Sequence, residues 1–218
     1  MALLETRDDY SRAERFSDAV IHASGLLFVL IAVPVLITVT AFLRGDFTAL
    51  FGVSVYGLTL IAMILCSALY NLVPHPDWEG LLKRLDHSAI YAKIAGTYTP
   101  FTLLSGGHGA WLLAGIWGAA VAGIGLKIIA PDRFHRMAIC LYIAMGWAGL
   151  FAGSSFLAAL SWPVLILILI GGGLYMAGVV FYLFDRLPFH YTIWHVFVLT
   201  ASLVFYAAVT VHVVQGAA

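Results

Sequence analysis

The sequence predicts an all-α integral membrane protein, a bundle of seven transmembrane helices with its N-terminus in the cytoplasm and its C-terminus outside. Three observations predict it. The 218 residues are 62% hydrophobic and 10% charged, with a mean hydropathy of +0.99, whereas a soluble domain devotes about a quarter of its residues to charge. Apolar runs of the ~20 residues needed to cross a ~30 Å hydrocarbon core recur at 19–43, 47–72, 87–105, 111–130, 137–160, 162–184 and 192–214. The basic residues between these runs lie almost wholly on one side.

The first run follows a segment, residues 1–18, with Arg7, Arg12 and Arg15 among acids. It is too long for a signal-peptide core and has no clear small-residue cleavage site, so a retained helix is expected behind a short cytoplasmic segment. The chain turns through LRGDF into the second run, which ends in CSALYN; the third opens with LDHS and closes with TYTPF. A glycine-rich GGHGAW leads to the fourth run, LSW separates the fifth from the sixth, GGGLYMAG lies in the sixth, and HYTIWH opens the seventh. Short connections make neighbours antiparallel, and the many small residues let helices approach closely. Pro34, Pro100 and Pro163 fall within or near spans, where membrane bundles tolerate kinks. No internal repeat is evident, and residues 1–218 read as one domain. Cys66 and Cys140 both fall inside spans, so no disulfide framework is implied.

Orientation follows from lysines and arginines near span ends, which stay in the cytoplasm. Nine lie on the side of the N-terminus: Arg7, Arg12, Arg15, Lys83, Arg84, Lys127, Arg133, Arg136 and Arg186. Arg44 alone lies on the other, and the eleventh basic residue, Lys93, is inside the third run. Net charge is zero with no basic block, which argues against a nucleic-acid partner. Membrane lipids are the expected partners.

Ionisable groups at membrane depth cost about 2.5–3.5 kcal/mol each on insertion scales and mark functional candidates. Here they are His22, Asp86, His87, Lys93, His195 and His212. The orientation places Ser67, Asn71, Asp86 and His195 in one cytoplasmic-side layer, with Ser67 and Asn71 on one helix face. A lone His22 reads first as a packing residue. His87 points elsewhere than Asp86, His212 is expected to be solvated at the outer end, and His75 is expected in a loop. Tyr98, Tyr175, Tyr182 and Tyr206 are expected to bridge helices or to pack.

The segments FSDAVIHASG, SALYN, RLDHSAIYAKIAGTYTPF, GGGLYMAGVVFY and IWHVFVLTASLVFY resemble the hemolysin III family, the bacterial branch of the progestin and adiponectin receptor superfamily. The resemblance covers nearly the whole chain. It implies a seven-helix bundle in a bacterial plasma membrane, a relation to membrane ceramidases and a zinc site near the cytoplasmic face. Carried over residue by residue, it assigns Ser67, Asp86 and His195 to the site, with Asp86 and Ser67 as catalytic candidates and His195 and Asp86 as metal ligands. The other two ligand positions depart from the pattern: Asn71 and Tyr191 stand where the family has histidines. His190 does not replace Tyr191 on a regular helix, where an i,i+5 pair stands about 140° apart; only a helix start unwound near Pro188 would let it. The resulting set has one good ligand and one carboxylate, short of the three protein ligands of a catalytic zinc.

Lys93 stands where the family carries an apolar residue. It lies seven residues after Asp86, on the same face and about 10 Å along the axis, and its stem tilts back toward that layer. It is expected either to compensate the charge of Asp86 in place of zinc or to face a wet cavity. Three functional readings follow. The ligand deficit puts first a metal-poor relative that binds a lipid or partner and affects lipid homeostasis or permeability, cytolysis resting on the family name alone. The second is a zinc-dependent lipid amide or ester hydrolase with altered ligands. The third is a small ion or proton transporter or pore.

Overall fold

The computed structural model describes residues 11–73, 76–130, 133–184 and 186–216, and is predominantly helical, with no strand among the described residues. Arg7 and His75 lie outside these residues. In chain order the elements are α1 (Arg12–Leu43), α2 (Phe47–Leu72), α3 (Pro76–Leu103), α4 (Ala110–Ile129), α5 (His135–Trp147), a 3-10 turn (Ala148–Phe151), α6 (Ser154–Ala158), α7 (Trp162–Leu183) and α8 (His190–Gln215). Five of them, α1, α2, α4, α7 and α8, are long and apolar enough to cross a membrane. The apolar helical stretch Arg136–Phe151 is shorter, and α3 is long but opens on the charged sequence PDWEGLLKRLD.

Local chemistry explains the starts. Ser11 and Glu14 form a capping box at α1, and the Asp46 carboxylate accepts from the Ala49 N–H at α2, each satisfying donors that the first turn leaves open. Within the helices Thr40, Thr97, Thr99, Ser202 and Thr210 donate to carbonyls four residues back, so their hydroxyls cost little in an apolar setting.

The core sits between α1, α2, α3 and α8, around Val29, Val33, Leu36, Val53, Tyr56, Leu60 and Val209, all essentially inaccessible. Glycines allow the approach. A Cβ on Gly57 would run into Val33 and one on Gly96 into Thr59, while one on Gly52 would come within 3.2 Å of Pro100. The outward faces carry large apolar side chains such as Leu27, Ile31, Phe42, Val121, Ile166 and Ile170. A protein surrounded by water rarely exposes so much contiguous apolar surface; a bilayer solvates it.

One predicted span is interrupted. The run 137–160 does not form a single helix, because α5 stops at Trp147 and the chain passes through the 3-10 turn before α6. Gly153 adopts φ +98, a region in which only glycine is unstrained. At the break the Tyr98 hydroxyl of α3 accepts from the Gly149 N–H at 2.9 Å and donates to the Gly146 carbonyl at 3.0 Å. A side chain therefore satisfies the backbone groups that the lost helical turn releases, as an apolar surrounding requires.

Candidate metal centre and intramembrane cavity

The N-terminal turns of α1 and α8 are tied together at one end of the bundle. Glu14 accepts from the Phe189 N–H at 3.0 Å, and Ser17 and Thr192 share a hydroxyl hydrogen bond at 3.2 Å. Phe189 holds a left-handed φ of 60 as it caps α8, so the Glu14 contact steadies the turn that launches the helix bearing His195.

Two turns into the bundle, Asp18, His22 and His195 meet, each offering one ligand atom, with those atoms all within 4.8 Å of one another. Both imidazoles are fixed by the same residue. His22 Nδ1 lies 2.8 Å from the Asp18 main-chain carbonyl and His195 Nδ1 lies 2.6 Å from the Asp18 carboxylate. The carbonyl and the carboxylate both accept, so each Nδ1 is the donor, which leaves the Nε2 of a neutral ring with its lone pair. The Ser67 hydroxyl is 3.2 Å from His22 Nε2 and supplies a proton to it. The rings sit edge to face with centroids 4.4 Å apart.

Two imidazoles and a carboxylate are a zinc donor set, and an N–H of each ring held by a carbonyl or carboxylate is the outer arrangement that such sites use to fix the tautomer. The residues present therefore fit the metal that the resemblance implies. The set differs from the sequence reading. His22 is not a packing residue alone, because α1 crosses close to α8 and turns it onto His195. Asp18, absent from the sequence-based candidates, is the hub. A signal existed in the spacing: Asp18 and His22 are i,i+4 and share a helix face where the first apolar run begins.

The other candidates surround this centre. Asn71 donates to the Ser67 carbonyl at 2.9 Å and lies 3.5 Å from His22 Nε2. The Tyr191 ring meets that of His195 edge to face at 4.7 Å. His190 is buried, with Nδ1 3.1 Å from the Leu187 carbonyl, and is not part of the Asp18–His22–His195 group. Asp86 is buried on α3 and, with Ser67, His22 and His195, lines one cavity. His87 borders that cavity too, and its carbonyl accepts from the Tyr142 hydroxyl. His212 departs from expectation: it is buried rather than solvated, 8% exposed and against Phe101, because α8 turns it into the α3 interface. Of the tyrosines, Tyr98, Tyr175 and Tyr206 make hydrogen bonds between helices, and the Tyr182 ring lies tilted against those of Tyr191 and Trp194.

The cavity encloses about 410 Å3, within the ~300–1,000 Å3 range of small-molecule sites. Along α3 its lining runs from Asp86 to Phe101, fifteen residues or about 22 Å of helix rise. Polar groups gather at the Asp18–His22–His195 end; beyond them the walls are mainly isoleucine, leucine and aromatic side chains. Lys93 projects into the middle, 3% exposed, where Nζ donates to the Tyr175 hydroxyl at 2.6 Å.

A family model described as Haemolysin-III related matches residues 11–206. The chain is 38% identical over 206 residues to the Hemolysin-3 of Bacillus cereus, with 94% of each chain covered. It is 35% identical over 206 residues to the Hemolysin-3 homolog of Bacillus subtilis, covering 93% of this chain and 95% of that one. The human monocyte to macrophage differentiation factor is 28% identical over 169 residues, 71% of this chain and 67% of the relative.

Proposed function

Because the chain belongs to the haemolysin III family and is a multi-pass membrane protein, we propose that it draws an amphipathic lipid into its cavity and hydrolyses an amide or ester bond beside Asp18, His22 and His195. The observation that carries this reading is that Asp18, His22 and His195 each bring one ligand atom within 4.8 Å of the others, with both histidines at the polar end of a long apolar cavity. It changes the ligand arithmetic: His195 gains His22 and Asp18, and three protein groups suffice for a catalytic zinc. The same reading takes the protein as seven-spanning, N-terminus inside, in a bacterial plasma membrane, with this layer near the cytoplasmic face.

A zinc ion held by this set would polarise the scissile carbonyl and lower the pKa of water. The chain's own residues do the rest. Asp18 holds both imidazoles through their Nδ1 atoms and so fixes the orientation of the two rings. Ser67 turns its hydroxyl from His22 to the substrate carbonyl. Asp86 takes the proton from the attacking water and passes it to the leaving amine or alcohol. Apolar walls exclude bulk water, which strengthens each of these interactions.

A second reading rests on Asn71 and Tyr191. With neutral groups where the resemblance places two histidines, the layer is closed by the Ser67–His22 hydrogen bond, and the lipid is bound without being cleaved. Metal content of protein purified without chelators, compared with His22→Ala and His195→Ala, separates the two. Near-stoichiometric zinc lost in both variants, together with release of fatty acid from fluorescent acyl amides or esters in nanodiscs, is the expected result. Metal-free wild type that binds lipid and cleaves none of it would establish the second reading.

A further inference from the structure

Lys93 is a buried cation whose hydrogen bonding is left incomplete. Its ammonium carries three donors. One goes to the Tyr175 hydroxyl at 2.6 Å, and the ammonium also lies over the Tyr175 and Phe205 rings, 4.4 and 4.8 Å from their centroids. The hydrogen bonds behind it all point away from the lysine. Ser202 donates to the Val198 carbonyl at 2.8 Å, so in the 2.9 Å contact between hydroxyls Tyr175 donates to Ser202. A lone pair of Tyr175 is thereby turned toward the ammonium, and the cascade stabilises a positive charge. No described carboxylate forms an ion pair with Lys93. The other lysine on the cavity wall, Lys127, is already engaged within the fold.

A protonated amine with two open donors, 3% exposed in an apolar wall, calls for a counter-ion, because burying an uncompensated charge is costly. We infer that the Lys93–Tyr175–Ser202 niche is an anion-binding site for a single-chain amphiphile, whose carboxylate or phosphate meets Nζ while its alkyl chain fills the apolar part of the cavity. The shape supports one chain. About 410 Å3 is spread along the lining from Asp86 to Phe101 on α3 and from Trp162 to Tyr182 on α7, roughly 22–30 Å at 1.5 Å per residue. On the far side of Lys93 the walls are Phe101, Phe156, Leu157, Leu160 and Leu165, with no charge to hold a second head group. The inference rests on the proposed lipid cavity and is independent of whether metal is bound.

The test uses the full chain in nanodiscs with terminally brominated laurate as reporter, read by quenching of Trp147, Trp162 and Trp194, which line the cavity. Laurate, dodecyl phosphate, dodecanol and acetate compete with it. A charge-assisted hydrogen bond contributes about 1.5–3 kcal/mol, so laurate or dodecyl phosphate should bind roughly 10-fold or more tighter than dodecanol. In Lys93→Met the ratio should fall to about one with dodecanol binding retained, in Lys93→Arg most of it should return, and His195→Ala should leave it unchanged. Should Lys93→Met not assemble, Lys93→Gln reads the same ratio. An anion preference that persists without the lysine charge overturns the inference, and so does acetate competing as well as laurate. Failure of dodecanol and laurate alike to displace the reporter overturns the lipid cavity itself, a result the zinc measurement does not share.

Discussion

The wall formed by α1, α2, α3 and α8 is interlocked along its length, whereas the α5–α6 wall that closes the cavity is broken and held at a few points. On the first wall glycines bring backbones together at Gly25, Gly52, Gly57 and Gly96, and every residue of the Asp18–His22–His195 centre, with Ser67, Asp86 and Lys93, is mounted there. On the second, Tyr142 donates to the His87 carbonyl, Tyr98 bridges the helix break and Trp147 lies against Gly172. The difference teaches a division of labour. Groups whose chemistry depends on placement within tenths of an ångström need packed helices behind them, while a wall held at a few points opens at lower cost.

The largest effect should come from the rigid wall's chemistry. His195→Ala should lower zinc affinity at least ~100-fold, beyond the ~10–100-fold typical of losing an outer partner, and Asp18→Asn, which weakens a ligand that also orients both rings, should lower it at least as far. Both are read by competition with a chelator of known affinity. Next comes packing on the same wall. Gly96→Ala would push a methyl into Thr59, whose hydroxyl is already committed to the Val55 and Tyr56 carbonyls. A loss of about 1–3 kcal/mol is expected, the range for overpacking, measured by denaturation in mild detergent.

The soft wall should respond less. Tyr98→Phe removes the hydroxyl that serves Gly146 and Gly149, and should cost about 1 kcal/mol with faster amide exchange confined to residues 146–152. Equal exchange before and after the change would mean that the break does not depend on the phenol. The smallest effect is expected on the outer face of α7, where a methyl at Gly173 meets nothing within 4 Å. Gly173→Ala should stay within about 0.5 kcal/mol of wild type, and a loss matching that of Gly96→Ala would erase the contrast between packed and lipid-facing glycines.

Most of the helical plan was legible along the chain. The apolar run 47–72 coincides with α2, and the runs at 111–130, 162–184 and 192–214 fall within two residues of α4, α7 and α8, because hydrocarbon thickness imposes a length that composition alone reveals. The interruption after Trp147 was not legible. The glycines at 146, 149 and 153 were in view, but what turns them into a break is a phenol from α3, some fifty residues away in sequence. The centre divides in the same way. Ser67, Asp86 and His195 could be named from motif resemblance, since each sits in a recognisable local pattern. His22 read as packing and Asp18 went unnoticed, because a ligand's worth depends on what faces it.

By itself the sequence determined that this chain is a membrane protein, where most of its helices run and that it belongs with haemolysin III, since apolar length, capping and motif are properties of neighbours along the chain. Only the tertiary structure decided that α1 lies against α8 so that one aspartate sets two histidines, and that Lys93 turns to Tyr175 and Ser202. The Lys93–Tyr175 and Asp18–His195 contacts join residues 82 and 177 positions apart, and no local period or propensity encodes such a distance; it is set by how the helices pack.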